Sequence, residues 1–337
     1  MPMLTPKVSI ILPFYNAEKT LKRALESIAN QSLLDFECIM VDNNSTDEGR
    51  KIAQGFAQKN SRFVLTTETK QGVVFASNKG LKLAKAEYIA RMDADDECTP
   101  SRLLLQTKFL DENIDFGAVS GLVEFVPKKE NSKGFSEYVD WVNSLTAYEE
   151  IYLKRFMEMP IINPTMMWRS LVSKKFGMYR NGDFPEDYEL WLRWLDSGVK
   201  IGKIQETVLK WYDSDTRLTR TDNVYSIESF YGAKSPYLAK ELVKINKYHP
   251  KVAVWGASKT SRKRAKLLQE YGIDICCYID ITNKRQIPDK LMYYKDLPEV
   301  GSLFVLVYVK QKLMRTKVEV YLIGKGYEEG RDFLFCS

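Results

Sequence analysis

The chain has 337 residues, enough for two domains or one large domain with an appendage. Hydrophobic content of 45% is globular, and 50 basic against 44 acidic residues give +6, too mild to argue for a nucleic-acid partner. No run of about 18 apolar residues is present, and Met1 to Lys7 does not open a signal peptide, so a cytoplasmic protein is expected.

The first hundred residues alternate strand and helix. Residues 8–12 read as a strand ended by Pro13, and Leu21, Ala24, Leu25 and Ile28 then recur at helical spacing. Residues 36–41 form a second strand, 47–59 a helix, 63–65 a third strand and 72–85 another helix. The run 87–92 is a strand leading into Asp93-Ala94-Asp95-Asp96. Repeated β-α units predict a mostly parallel sheet with helices on both faces. Thr99 before Pro100 supplies the N-cap and first-turn proline of the next helix, so the aspartates are not needed as caps. Residues 127–134 are a polar loop, and the Trp- and Tyr-rich stretch 138–159 is helical.

Further on, Tyr188, Trp191, Leu192 and Leu195 mark one helical stripe, with Gly198 just past its end. Glu186 and Asp187 then stand at the helix N-terminus, where backbone N–H groups favour carboxylates. They either decorate the first turn or serve chemistry. A lysine-spaced connector, 236–250, leads to a second α/β pattern: strand 252–255, Gly256-Ala257-Ser258, basic helix 260–271, strand 273–279 ending at Asp280, and strand 303–309. The expected division is 1–235, a linker 236–249, and a small Rossmann-like domain 250–337. Ser258 and Ser261 replace the second and third glycines of a dinucleotide fingerprint, which favours an assembly, docking or small-ligand module over an NAD-dependent catalyst. With its own strand-helix-strand pattern, this segment is expected to fold separately and to be dispensable for chemistry.

Five scattered cysteines (Cys38, Cys98, Cys276, Cys277, Cys336) form no zinc pattern, and the lone His249 leaves carboxylates as the candidate proton acceptors. In extended chain Asp93 and Asp95 project to one side, where like charges repel and raise each other's pKa unless a cation intervenes. A hard divalent ion, Mn or Mg, bridging to a diphosphate answers that need. The turn Pro13-Phe14-Tyr15-Asn16 has no glycine-rich phosphate cradle; its aromatic ring and amide suit a nucleobase. Asp42 offers acceptors to a ribose or base, while Ser45 to Asp47 equally fit a helix cap.

Four segments in order, 8–16, 41–47 (Val-Asp-Asn-Asn-Ser-Thr-Asp), 76–80 (Ala-Ser-Asn-Lys-Gly) and 93–96, resemble the inverting glycosyltransferases of family 2, which have a GT-A fold. The resemblance runs from about Val8 to Tyr231. It implies a GT-A-type, mostly parallel α/β sheet flanked by helices. It implies that Pro13, Tyr15, Asp42 and Asn43 line the base and ribose, with Asn16 and Asn78 in the same nucleotide-binding set. Asp93 would face the ribose and Asp95 would ligate the metal. The family's Glu-Asp motif maps to Glu186 and Asp187, and Asp187 would be the general base. Arg217 or Arg220 would neutralise the leaving diphosphate, unless they form ordinary surface ion pairs. Three departures stand out: Asn43 for a second aspartate facing uracil, Ser77 for a frequent arginine, and Asn163 for a frequent histidine.

The reading that follows is a metal-dependent inverting transferase moving a sugar from a UDP-sugar to a hydroxyl of a saccharide or lipid-linked acceptor, in bacterial surface polysaccharide synthesis. The alternatives are a nucleotide-sugar-binding regulatory protein and an NAD-dependent oxidoreductase acting through the C-terminal domain. The lysines at 240, 244, 247 and 251, with the basic cluster 262–266, leave open peripheral contact with an anionic membrane at its inner face. Self-association through the C-terminal domain is open as well.

Overall fold

β1 (Val8–Phe14) is buried at all seven residues, as a strand covered on both faces must be. With β2 (Phe36–Asp42), β3 (Phe63–Thr67) and β4 (Tyr88–Arg91) it forms a parallel set in the order β3-β2-β1-β4. The strand runs on through Pro13 because that residue's missing N–H lies on the β4 side, beyond Arg91, the last β4 residue, which pairs with Ile11. β5 (Glu97–Cys98), β6 (Phe116–Val126), β7 (Met167–Arg169) and β8 (Lys200–Tyr212) extend the sheet to eight strands, β3-β2-β1-β4-β7-β6-β8-β5. β7 is antiparallel to both β4 and β6, and β5 is antiparallel to β8. The structure, a computed structural model, describes residues 5–128, 133–214, 217–282, 287 and 290–337.

Helix Leu21–Ala29 buries Leu21, Ala24, Leu25 and Ile28, the four positions picked out by spacing. Helix Arg102–Glu112 starts without the expected cap. Thr99 Oγ1 donates to the Thr207 carbonyl (2.9 Å), and Gln31 Oε1 takes the Leu103 N–H instead (3.0 Å). A side chain from just beyond the end of helix Leu21–Ala29 thus satisfies the end that local sequence left open. The stretch after β6 forms two helices, Lys133–Ser144 and Tyr148–Lys154; the loop residues 129–132 lie outside the described residues.

These strands belong to one compact unit, residues 1–151, 160–182 and 193–221. The second comprises residues 152–159, 183–192 and 222–337, so it takes in chain well ahead of position 250. Its sheet is all parallel, β11-β10-β9-β12-β13, from β9 (Lys251–Trp255), β10 (Asp274–Asp280), β11 (Leu291–Tyr293), β12 (Val305–Val307) and β13 (Phe333–Phe335). Trp255, Ile279, Val305, Val307, Leu322 and Phe333 anchor its core. The supposed linker 236–249 is largely the second half of a 19-residue helix, Ile227–Ile245, which packs in this unit: the Tyr231 ring stacks on Tyr308 at 6.0 Å. Among the described residues no helix is long and apolar enough to cross a membrane.

Helix Val73–Leu83 approaches β1 through Gly80, where an added Cβ would lie 2.6 Å from Ile11 Cγ2. Gly80→Val is therefore expected to cost about 1–3 kcal/mol by overpacking. Urea unfolding followed by circular dichroism measures this, and an unchanged midpoint would show that the contact yields freely.

Candidate functional site

The fully buried β4 delivers the acidic turn. Carboxylate oxygens of Asp93, Asp95 and Asp96 all lie within 4.8 Å of one another. Arg91, the last β4 residue, donates from Nε and Nη2 to Asp93 Oδ1 (2.9 and 2.7 Å) and from Nη1 to Ser77 Oγ (2.6 Å). Ser77, the position where an arginine is frequent, here receives a guanidinium from a neighbouring strand. Asp96 is wholly buried; its Oδ1 accepts the Tyr212 N–H (3.0 Å), while its Oδ2 has no hydrogen-bond partner. Burial pushes the Asp96 carboxyl well above the usual range, neighbouring Asp95 adds to the rise, and Arg217 opposes it. Asp95 is raised by burial and then by Asp93, again against Arg217.

Arg217 and Arg220 part company. The Arg217 guanidinium lies 3.7 Å from the Trp211 ring centre, acts on the aspartates, and keeps a buried Nη1 with no hydrogen-bond partner. Arg220 pairs with Asp213 at 2.8 Å and donates to the Ser214 carbonyl. Arg23 donates to the Asp95 carbonyl and stacks on Tyr212 at 3.6 Å. Three clustered carboxylates, one with an orphaned buried oxygen, with the Asp95 and Asp96 carboxyls raised by burial and by neighbouring acids, fit a divalent cation such as Mn or Mg.

The residues expected to line a nucleotide divide by exposure. Tyr15, at the end of β1, is 53% exposed, whereas Pro13 is buried within the strand. Asn16 adopts φ +48° and its Oδ1 accepts from the Thr46 N–H (2.8 Å), stitching the first turn to the second. Asp42 accepts from the Ser45 N–H (3.0 Å) and from Arg50 Nη1 (2.8 Å). Asn43 donates to the Glu68 and Lys70 carbonyls (2.8 and 2.9 Å) and accepts from the Gly72 N–H (2.8 Å). Asn78 clasps the backbone of Tyr179 through both amide atoms (2.9 and 3.1 Å). Asn16, Asn43 and Asn78 thus spend their side chains on holding loop backbone. Asn163 is buried and accepts from the Tyr179 hydroxyl (3.3 Å).

In the second unit Glu186 and Asp187 open helix Glu186–Asp196, as the spacing predicts. Glu186 is buried and accepts from the Tyr225 hydroxyl (2.6 Å); Asp187 is half-buried, with Oδ1 on the Tyr188 N–H (2.7 Å). The glycine turn after β9 is closed. A Cβ on Gly256 would lie 2.9 Å from the Tyr308 carbonyl oxygen and 3.2 Å from Ser261 Oγ, and Ser261 itself donates to that carbonyl (2.9 Å). The room that glycine leaves is filled from within the unit.

Sequence reasoning named Asp93 and Asp95 for binding and metal but gave Asp96 no role. It also missed Arg91, Arg23 and Arg50. Arg91 did carry a signal, a cation ending an otherwise apolar strand. Arg23 and Arg50 sit on ordinary charged helical surfaces and reach the site only through the tertiary fold.

The profile of Glycosyl transferase family 2 matches residues 9–174. An uncharacterized glycosyltransferase of Methanocaldococcus jannaschii is 31% identical over 256 residues, 73% of this chain and 85% of that protein. EpsE of Bacillus subtilis, whose glycosyltransferase name is itself provisional, is 30% identical over 272 residues, 73% of this chain and 94% of that protein. The chain belongs to the family 2 glycosyltransferases. Among solved structures, residues 1–349 of Staphylococcus aureus TarS in complex with UDP-GlcNAc have a TM-score of 0.54 at 18% identity over 79% of this chain and 71% of that one. The mannosyltransferase PcManGT of Pyrobaculum calidifontis, in complex with GDP-Man and Mn2+, has a TM-score of 0.50 at 17% identity over 72% of this chain and 65% of that one. The shared fold is GT-A.

The buried acids set a pH test. A carboxyl whose folded pKa is raised contributes stability while protonated and loses it as pH rises through that value. In chelator, Asp96→Asn is therefore expected to raise the melting temperature at pH 7, with the gain shrinking as pH falls toward the ordinary carboxylate range. Paired melting curves between pH 5 and 8 read the difference, and a gain that does not change with pH would remove the explanation.

Proposed function

We propose that the protein transfers a sugar, with inversion, from a nucleoside-diphosphate sugar to a hydroxyl of a saccharide or lipid-linked acceptor. One observation carries this reading: three carboxylates within 4.8 Å of one another, with the Arg217 guanidinium acting on them. Asp93, Asp95 and Asp96 would hold a divalent ion, Mn or Mg, which when bound supplies positive charge to the diphosphate of the donor. Arg217 adds a second cation for the departing nucleotide, with its buried Nη1 making no hydrogen bond. The exposed Tyr15 ring offers a stacking surface for the base, and Asp42 with Arg50 closes that end of the nucleotide site.

Asp187 is the proposed general base, taking the acceptor proton as its oxygen attacks the anomeric carbon. Glu186 is turned into the fold by Tyr225, whereas Asp187 remains half-exposed, which supports Asp187 over its neighbour. The displacement is direct and needs no covalent nucleophile. A UDP donor is preferred on the family resemblance, and TarS with UDP-GlcNAc is a precedent among relatives of the fold. Synthesis of a bacterial surface polysaccharide is the proposed setting. The exposed Lys240, Lys247 and Lys251 suit contact with the anionic membrane that carries a lipid-linked acceptor.

Two outcomes test this. Excess chelator should abolish transfer, Mn or Mg should restore it, and Asp95→Asn should lose most activity; full turnover in chelator would end the metal role. Asp187→Asn should lower turnover at least ~10²-fold, the scale of a lost general base, with donor affinity by calorimetry within a few-fold. Equal losses of binding and turnover would make Asp187 a structural cap.

A further inference from the structure

The helix start that carries Asp187 is fixed on both sides by tyrosine hydroxyls. Before it, Glu186 Oε2 accepts from Tyr225 (2.6 Å). After it, buried Glu189 Oε1 accepts from buried Tyr237 (2.7 Å). Between them the Tyr188 hydroxyl donates to the Arg155 carbonyl (2.6 Å), and the Arg155 guanidinium pairs with Glu241 at 3.0 Å. Tyr237 and Glu241 stand one turn apart on helix Ile227–Ile245. The same helix is tied to the five-stranded sheet. Buried Lys234 donates to the Phe156 and Cys336 carbonyls (2.8 and 2.7 Å), Tyr231 stacks on Tyr308, and Glu228 pairs with Arg264 at 3.0 Å.

We propose that Tyr225 and Tyr237 are positioning residues for Asp187, and that the C-terminal module serves the chemistry by anchoring the helix that carries Tyr237 and follows directly on the turn of Tyr225. This rests on the reading of Asp187 as the general base. Three acidic residues, Glu186, Asp187 and Glu189, crowd one helical turn. Two are drawn into the fold by phenol donors, which leaves the third half-exposed and sets where it points. A base acts within hydrogen-bond reach of its proton, so a shift of about 1 Å in its helix costs rate more than donor affinity. The expectation that the terminal segment is dispensable for chemistry is thereby replaced. A chain stopped between residues 236 and 247 loses the Tyr308, Arg264 and Cys336 anchors of the helix.

The test is a double-mutant cycle in the full-length protein: Tyr237→Phe, Asp187→Asn and the pair, assayed for transfer with donor and acceptor. Tyr237→Phe should lower kcat by about tenfold or more while leaving the donor KM within about twofold. In the Asp187→Asn background it should cause no further loss, because the residue it positions is already gone. An equal loss in both backgrounds, or wild-type kcat in Tyr237→Phe, would overturn the positioning role while leaving the base assignment standing. Wild-type turnover in Asp187→Asn would instead remove the base reading, and the inference with it. Should Tyr237→Phe melt below the assay temperature, Tyr225→Phe, at a half-buried position, goes through the same cycle with the same outcomes.

Discussion

Bringing three carboxylates within 4.8 Å of one another, one of them wholly buried, costs free energy that the surrounding chain must offset. Much of the first unit is arranged around that constraint. Arg91 holds Asp93 from β4 and is itself held by Ser77 of helix Val73–Leu83. Arg23, from helix Leu21–Ala29, takes the Asp95 carbonyl. The backbone of Tyr212, at the end of β8, takes one oxygen of Asp96. Arg102 lies fully buried beneath the turn, donating to the Arg91 and Met166 carbonyls. Three elements remote in sequence, helix Val73–Leu83, helix Leu21–Ala29 and β8, thus converge on this turn with its two flanking elements. The insertion of β7 between β4 and β6, antiparallel to both, lets the parallel half β3-β2-β1-β4 share one sheet with the strands that close the acidic turn.

The parallel half was legible in the sequence because fully buried strands are continuous apolar runs and the helices between them keep a clean 3.6-residue period, as Leu21, Ala24, Leu25 and Ile28 do. The acidic turn was legible for the opposite reason: charge has no place at the end of a buried strand without a task. What sequence could not show was where polar side chains turn. Asn43 and Asn78 sit in motifs that point to a nucleotide, yet their amides hold the 68–72 loop and Tyr179 in place. Thr99 carries the composition of a cap but bonds to β8, and the vacant cap is served by Gln31. Local preference was outbid in each case by a partner far away in the chain. The second half of helix Ile227–Ile245 falls in the expected connector 236–250 for the same reason, since its exposed lysines mask the buried Leu238 and Leu242.

The second unit has the topology of a nucleotide-binding module without the opening such modules use. Its strand order, not strand direction, reverses between β9 and β12, the place where an open parallel sheet takes a ligand. There Ser261 and Tyr308 fill the space beside Gly256, and Tyr231 stacks on Tyr308. The surface that would grip a dinucleotide grips a helix of the same unit, and that helix in turn grips the start of another.

The acidic turn also has a place in time. Asp96 meets the Tyr212 N–H across 116 positions of sequence, and β5 finds its partner only in β8. A chain emerging from the ribosome completes β1 to β4 early, with the aspartates already outside and their turn unclosed. Those acids stay hydrated, mutually repelling and easily separated until the residues around 212 arrive. Closure of the site is then among the last events in the making of the first unit. A chain truncated or stalled before that point would carry the parallel half of an enzyme whose acidic turn had not yet formed.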